Sequence, residues 1–171
     1  MKSVISTVLI VTLFMPTLAM AASVLNPKKA AYIGGSTKDR NFPNVKKEVI
    51  GRLNTGDNQL LMFFPDKKKL SVYTIPYSQI IAIEYGHEVG RLADNMSTME
   101  KLSLSGLLLS RIKIPRHYVT IGYIDNDDQI QVAVFELGIN IIRIKLPILI
   151  VRSGIEITYQ DEEAKKQAGA K

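Results

Sequence analysis

Few residues in this chain have both the type and the spacing that chemistry needs. Gly34-Gly35-Ser36-Thr37-Lys38 has the composition of a phosphate-cradling loop. That motif requires four residues between its first glycine and a Gly-Lys-Ser/Thr triplet, and the run lacks them, so it reads as a turn ending a strand. Asp125, Asp127, Gln129 and Glu136 fall at positions 1, 3, 5 and 12 of a calcium loop, which would supply hard oxygen ligands. Ile130 stands where that loop needs glycine, and the flanks read as strands where an EF-hand has helices. His87 and His117 have no His or Cys partner at zinc-ligand spacing. The chain has no cysteine, which excludes disulfides, thiolate catalysis, Cys-ligated zinc and anchoring through a lipidated N-terminal cysteine. Neither a G-x-S-x-G nor an H-E-x-x-H pattern occurs, and the carboxylates are too scattered to pair from sequence. The expectation is a protein that is not an enzyme, with no metal and no cofactor.

One segment joins charge to apolar surface. Arg111, Lys113 and Arg116 follow directly on Leu107-Leu108-Leu109. Cations beside leucines suit an anionic lipid surface or a partner, so Leu107, Leu108, Arg111, Lys113 and Arg116 are the candidate contact residues. The competing reading is a core strand with basic outward residues, which the alternation of Arg111, Ile112, Lys113 and Ile114 supports. Lys67-Lys68-Lys69 beside Pro65-Asp66 reads as a solvated hairpin tip.

The elements that must position these residues are mostly strands. With 171 residues, 46% hydrophobic and 22% charged, the chain suits one domain with a sizeable core. Residues 1–21 have the short basic start, apolar run, Pro16 break and Ala19-Met20-Ala21 site of a signal peptide. Export to a bacterial periplasm or exterior is the expectation. Loss of Lys2 lowers the formal charge from +6 to about +5, so the basicity belongs to the mature chain. Residues 22–29 read as a flexible leader. Ala30–Ile33, Val49–Leu53, Leu60–Phe64, Leu70–Ile75 and Ile80–Tyr85 then read as strands separated by turn residues. Met99–Leu109 reads as either helix or strand. The clearest signal is a hairpin, His117–Gly138, whose Asp125-Asn126-Asp127-Asp128 supplies turn chemistry. Its expected register places Val119, Ile121, Tyr123, Val132 and Val134 in one core.

Ile75-Pro76-Tyr77-Ser78-Gln79-Ile80, Ile83-Glu84-Tyr85-Gly86, Tyr118–Tyr123 and Val134–Gly138, followed by a last apolar segment, resemble a bacterial pleckstrin-homology-like or GRAM-like domain. The chain is also similar to uncharacterised secreted proteins of the sort found in acidobacteria, with a leading Tyr-Ile-Gly-Gly and a trailing Tyr-Gln-Asp-Glu-Glu. The resemblance implies a mainly β fold: a bent, partly open barrel of about seven antiparallel strands over residues 30–160, closed by a C-terminal helix. It implies no catalytic residues. The helix would run from an Asn140 N-cap to Gly154, kinked at Pro147. Ile141–Leu146 nevertheless alternates like a strand, and both readings stand at this point. Ile155–Tyr159 reads as a further strand and residues 161–171 as a polar tail, with a frayed helix as its most ordered form.

Three functions follow in order. The first is an exported, non-catalytic binding or scaffold domain with a protein or lipid ligand. The second is a peripheral domain that meets a membrane surface through Leu107–Arg116. The third is an enzyme of unrecognised type. Nucleic acid is not an expected partner, given export and the absence of a clustered basic-aromatic face. Oligomeric state is not readable from the residues.

Overall fold

Ala30–Gly35 forms β1, the strand from which the sheet extends in both directions. The computed structural model describes residues 29–36, 42, 47–87 and 116–170. To one side β1 pairs with β2 (Val49–Asn54), then come β3 (Leu60–Pro65) and β4 (Tyr73–Pro76), all antiparallel. To the other side it pairs with β7 (Ile130–Leu137), followed by β6 (Tyr118–Ile124) and β5 (Ile80–Gly86), again antiparallel. The expected seven antiparallel strands gain an eighth. β8 (Ile157–Tyr159) joins the outer edge of β5 in parallel, so the sheet is mixed, and it ends in two edges, β4 and β8.

Local chemistry makes the turns. The Asn54 side chain accepts from the Gly56 amide at 2.7 Å, and Asp57 Oδ1 accepts from the amides of Gln59 and Leu60 at 2.7 and 2.8 Å. Asp125 Oδ1 accepts from the amides of Asp127 and Gln129, and Asp128 takes a left-handed φ of 57°. These are the Asx turns their residue types favour. Gly51 serves a close approach: a Cβ there would lie 2.7 Å from the Phe63 ring and closer still to the Phe64 carbonyl.

The sheet is folded on itself. Tyr73 on β4 and Tyr123 on β6 stand five strand positions apart in the sheet order, about 24 Å if it were flat at ~4.8 Å per strand. Their hydroxyls are 2.7 Å apart. Inside the fold Tyr32, Phe42, Phe63, Tyr73 and Phe135 form an aromatic cluster with ring centroids 5.1 to 6.4 Å apart. Val119, Ile121, Ala133, Phe135 and Leu137 join the same core.

The hairpin register corrects the expectation in one respect. Val119 lies opposite Phe135 and Ile121 opposite Ala133, so Val132 and Val134 point to the other face. They are buried there, at 3% and 0% exposure, but outside the aromatic core. A strand buried on both faces carries no alternation from which its register can be read.

The last apolar segment is a helix, α1 (Ile139–Ser153), with Pro147 inside it. Ile142, Leu146 and Leu149 are its buried residues, at i, i+4 and i+7, and they seat one stripe on the core. Pro147 lies on the exposed side. The N-cap is Gly138, without a side-chain bond, and not Asn140; the Gly138 amide is held by the Lys29 carbonyl at 2.9 Å. At the other end Gly154 takes φ 71°, the left-handed cap its lack of a Cβ permits. The expected polar tail contains a second helix, α2 (Glu162–Ala168), capped by Asp161 and burying Ala164 and Ala168.

Candidate functional site

Of the five contact residues expected from sequence, Arg116 is the one the structure describes; Leu107, Leu108, Arg111 and Lys113 lie outside the described residues. Arg116 does not stand as a surface cation. It is 7% exposed, and its Nη1 donates to Glu136 Oε1 at 2.6 Å in a buried ion pair. The reason is positional: β6 starts just after Arg116, antiparallel to the end of β7, which carries Glu136. The calcium-loop residues are separated by the same geometry. Glu136 is at the Arg116 end of the hairpin, while Asp125 binds its own turn and, through Oδ2, Gln131 Nε2. Among the described residues no group of three or more His, Cys, Asp or Glu could hold a metal ion.

Two polar clusters emerge that sequence reasoning did not assemble. The first is where β5 ends and β6 begins. The Tyr85 hydroxyl bonds His117 Nδ1 at 2.8 Å, and His87 Nδ1 bonds the Arg116 carbonyl at 3.1 Å. The two imidazoles lie 5.3 Å apart, and Tyr159 meets the Tyr85 ring edge-on at 6.3 Å. Burial pushes the Tyr85 phenol up to about 12. Burial, and secondarily His87, hold His117 below the ordinary histidine value.

The second cluster joins α1 to the β2–β3 turn. Lys145 and Arg152, two helical turns apart on one face, both reach inward. Lys145 Nζ donates to Thr55 Oγ1 at 3.3 Å, and Arg152 Nη2 to the Gly56 carbonyl at 3.4 Å. Both bonds are long. The guanidinium lies 5.7 Å from the centre of the Tyr77 ring, in the 3-10 turn Tyr77–Gln79. Among the described residues no carboxylate comes within ion-pair distance of either cation. Asp57 feels Arg152, but its carboxyl is lowered first by the Gln59 and Leu60 amides. Burial, and then repulsion from Arg152, lower Lys145. The Tyr77 hydroxyl and Arg152 Nη1 are both buried; Arg152 is the hydroxyl's side-chain partner, and among the described residues neither atom has another.

The remaining face of α1 is apolar. Ile144 is 59% exposed and Val151 83%, with exposed Pro147 between them on one stripe. Over Ile139–Ser153 the helix has Arg143, Lys145 and Arg152 and no acid. Arg143 is tied down to the Gln167 carbonyl at 3.0 Å. Lys145 and Arg152 are thus drawn towards the β2–β3 turn, while Arg143 stays exposed beside the apolar stripe. No protein-family model and no curated protein matches this chain.

Proposed function

We propose that this chain is an exported, non-catalytic binding domain of the pleckstrin-homology-like type that meets its partner through the outer face of α1. The observation that carries the reading is the Ile144-Pro147-Val151 stripe, large apolar surface left in water on a helix that turns Lys145 and Arg152 inward. Such contiguous apolar exposure costs free energy unless something covers it. A meander of antiparallel strands followed by a helix seated on the open sheet supports the pleckstrin-homology-like part of the reading, and the signal-peptide pattern of residues 1–21 supports export.

A photo-crosslinking residue placed at Ile144 or Val151 tests this in the cell envelope. Crosslinks should form there and not at Ile130, an equally apolar side chain 62% exposed at the hairpin end. Equal labelling at all three positions, or none, would rule out α1 as the contact face. A membrane surface is the second reading, favoured by an acid-free helix whose exposed Arg143 adjoins the stripe. Sedimentation with anionic vesicles decides it: Ile144→Asp and Val151→Asp should abolish association, and unchanged sedimentation would exclude it.

A further inference from the structure

We infer that Lys145, Arg152, Thr55 and Tyr77 form a binding site for a phosphate-class oxyanion, between α1 and the β2–β3 turn. The site is on the inner flank of the helix and stands independently of the outer apolar face.

The argument starts from charge. Two cations converge on adjacent turn residues, Thr55 and Gly56, through contacts of 3.3 and 3.4 Å, and no carboxylate among the described residues pairs with either. Asp57, the acid that feels Arg152, lies beyond ion-pair distance, with its Oδ1 accepting from two backbone amides. A partly buried ammonium beside a guanidinium carries both a desolvation cost and a repulsion, and Lys145 shows both in its depressed proton affinity. An anion between them would relieve each.

Donor chemistry narrows the class. The Tyr77 hydroxyl has Arg152 as its side-chain partner and, while accepting from it, keeps its own hydrogen to donate; Arg152 Nη1 has no other partner among the described residues, Lys145 Nζ has one long bond, and Thr55 Oγ1 can turn its hydrogen outward while accepting from lysine. These four groups match an acceptor with three or four oxygens better than the two of a carboxylate. Arginine supplies planar recognition and lysine a point charge. Access to Nη1 needs a rotation of Arg152 off the Gly56 carbonyl, a contact weak enough at 3.4 Å to give way.

The source of the phosphate group, free ion or lipid headgroup, is separable by experiment. The purified chain is titrated with inorganic phosphate at constant ionic strength, following the amide resonances of Thr55 and Gly56, and with phosphatidylcholine vesicles containing phosphatidylglycerol. Saturable shifts with free phosphate, or vesicle association dependent on the same residues, support the site and name its source. Lys145→Met or Arg152→Met should weaken the response about tenfold, the loss expected for a charged hydrogen-bonding partner. Lys67→Met, on the exposed hairpin tip, should leave it unchanged. A second readout needs no ligand: in chloride, Lys145→Met should raise the melting temperature, because it removes an uncompensated cation, while phosphate should raise it less than in the parent. The inference fails if Lys67→Met weakens the response as much as Lys145→Met, if neither titration responds, or if Lys145→Met melts lower.

Discussion

At the scale of single residues, the Tyr85–His117–His87 cluster ties the fold to pH. Burial, with His87 alongside, lowers the His117 proton affinity in the fold relative to the unfolded chain. As pH falls through the ordinary histidine value, about 6.5, the unfolded chain takes up its proton first, and stability declines until the pH drops below the folded value. Above that window the contribution is complete. The melting temperature should therefore fall between about pH 7 and 5, and fall less in His117→Gln, which keeps a polar partner for Tyr85 without titrating. Identical profiles for parent and variant would assign the decline to other groups. Neither this cluster nor the Arg116–Glu136 pair was legible in the sequence. Each joins residues 20 or more positions apart, and only strand register brings them together. Asp125 was legible, because an Asx turn is made by neighbours and needs no distant partner.

At the scale of elements, α1 shows how two local signals compete. Ile141–Leu146 alternates like a strand and is rich in β-branched residues, yet Ile142, Leu146 and Leu149 fit a helical stripe, and burying that stripe decides the outcome. Each such side chain contributes roughly 1.5–3 kcal/mol on burial, so three together exceed the ~3 kcal/mol that an interior proline costs. Pro147 still leaves the Arg143 carbonyl without its helical donor. Pro147→Ala restores that donor and should raise stability by about 1–3 kcal/mol in thermal unfolding; a loss would mean that the proline's fixed φ is needed. The same all-round apolar composition that blurred the period leaves Ile144 and Val151 in water. What obscured the element therefore also marks its proposed contact face. The Lys145–Arg152 pair was hidden for a related reason: Arg143 and Lys145, alternating with isoleucines, read as the solvated face of a strand, and only the helical turn carries Lys145 and Arg152 together to the β2–β3 loop.

At the scale of the whole molecule, the sequence indicated strands, turns and a closing helix, but not how they curl. That depends on contacts between distant strands. Phe135 on β7 meets Tyr32 on β1, Phe63 on β3 and Tyr73 on β4 at 5.5, 5.6 and 6.2 Å, while Tyr123 on β6 reaches back to Tyr73. The two meanders share one core, so neither has a separate apolar interior on which to survive alone. Phe135→Ala should cost about 3–5 kcal/mol, the usual loss for a fully buried aromatic truncated to a methyl. It should lower protection against amide exchange equally in β2 and β6, although Phe135 touches neither half exclusively. Exchange measured by mass spectrometry reads both strands in one experiment. If β2 stayed protected while β6 opened, the meanders would be separate folding units and the shared aromatic core would be an incidental contact. A common loss would establish that the sheet is folded over as one cooperative body, the condition for α1 to hold Lys145 and Arg152 at a fixed distance from the β2–β3 turn.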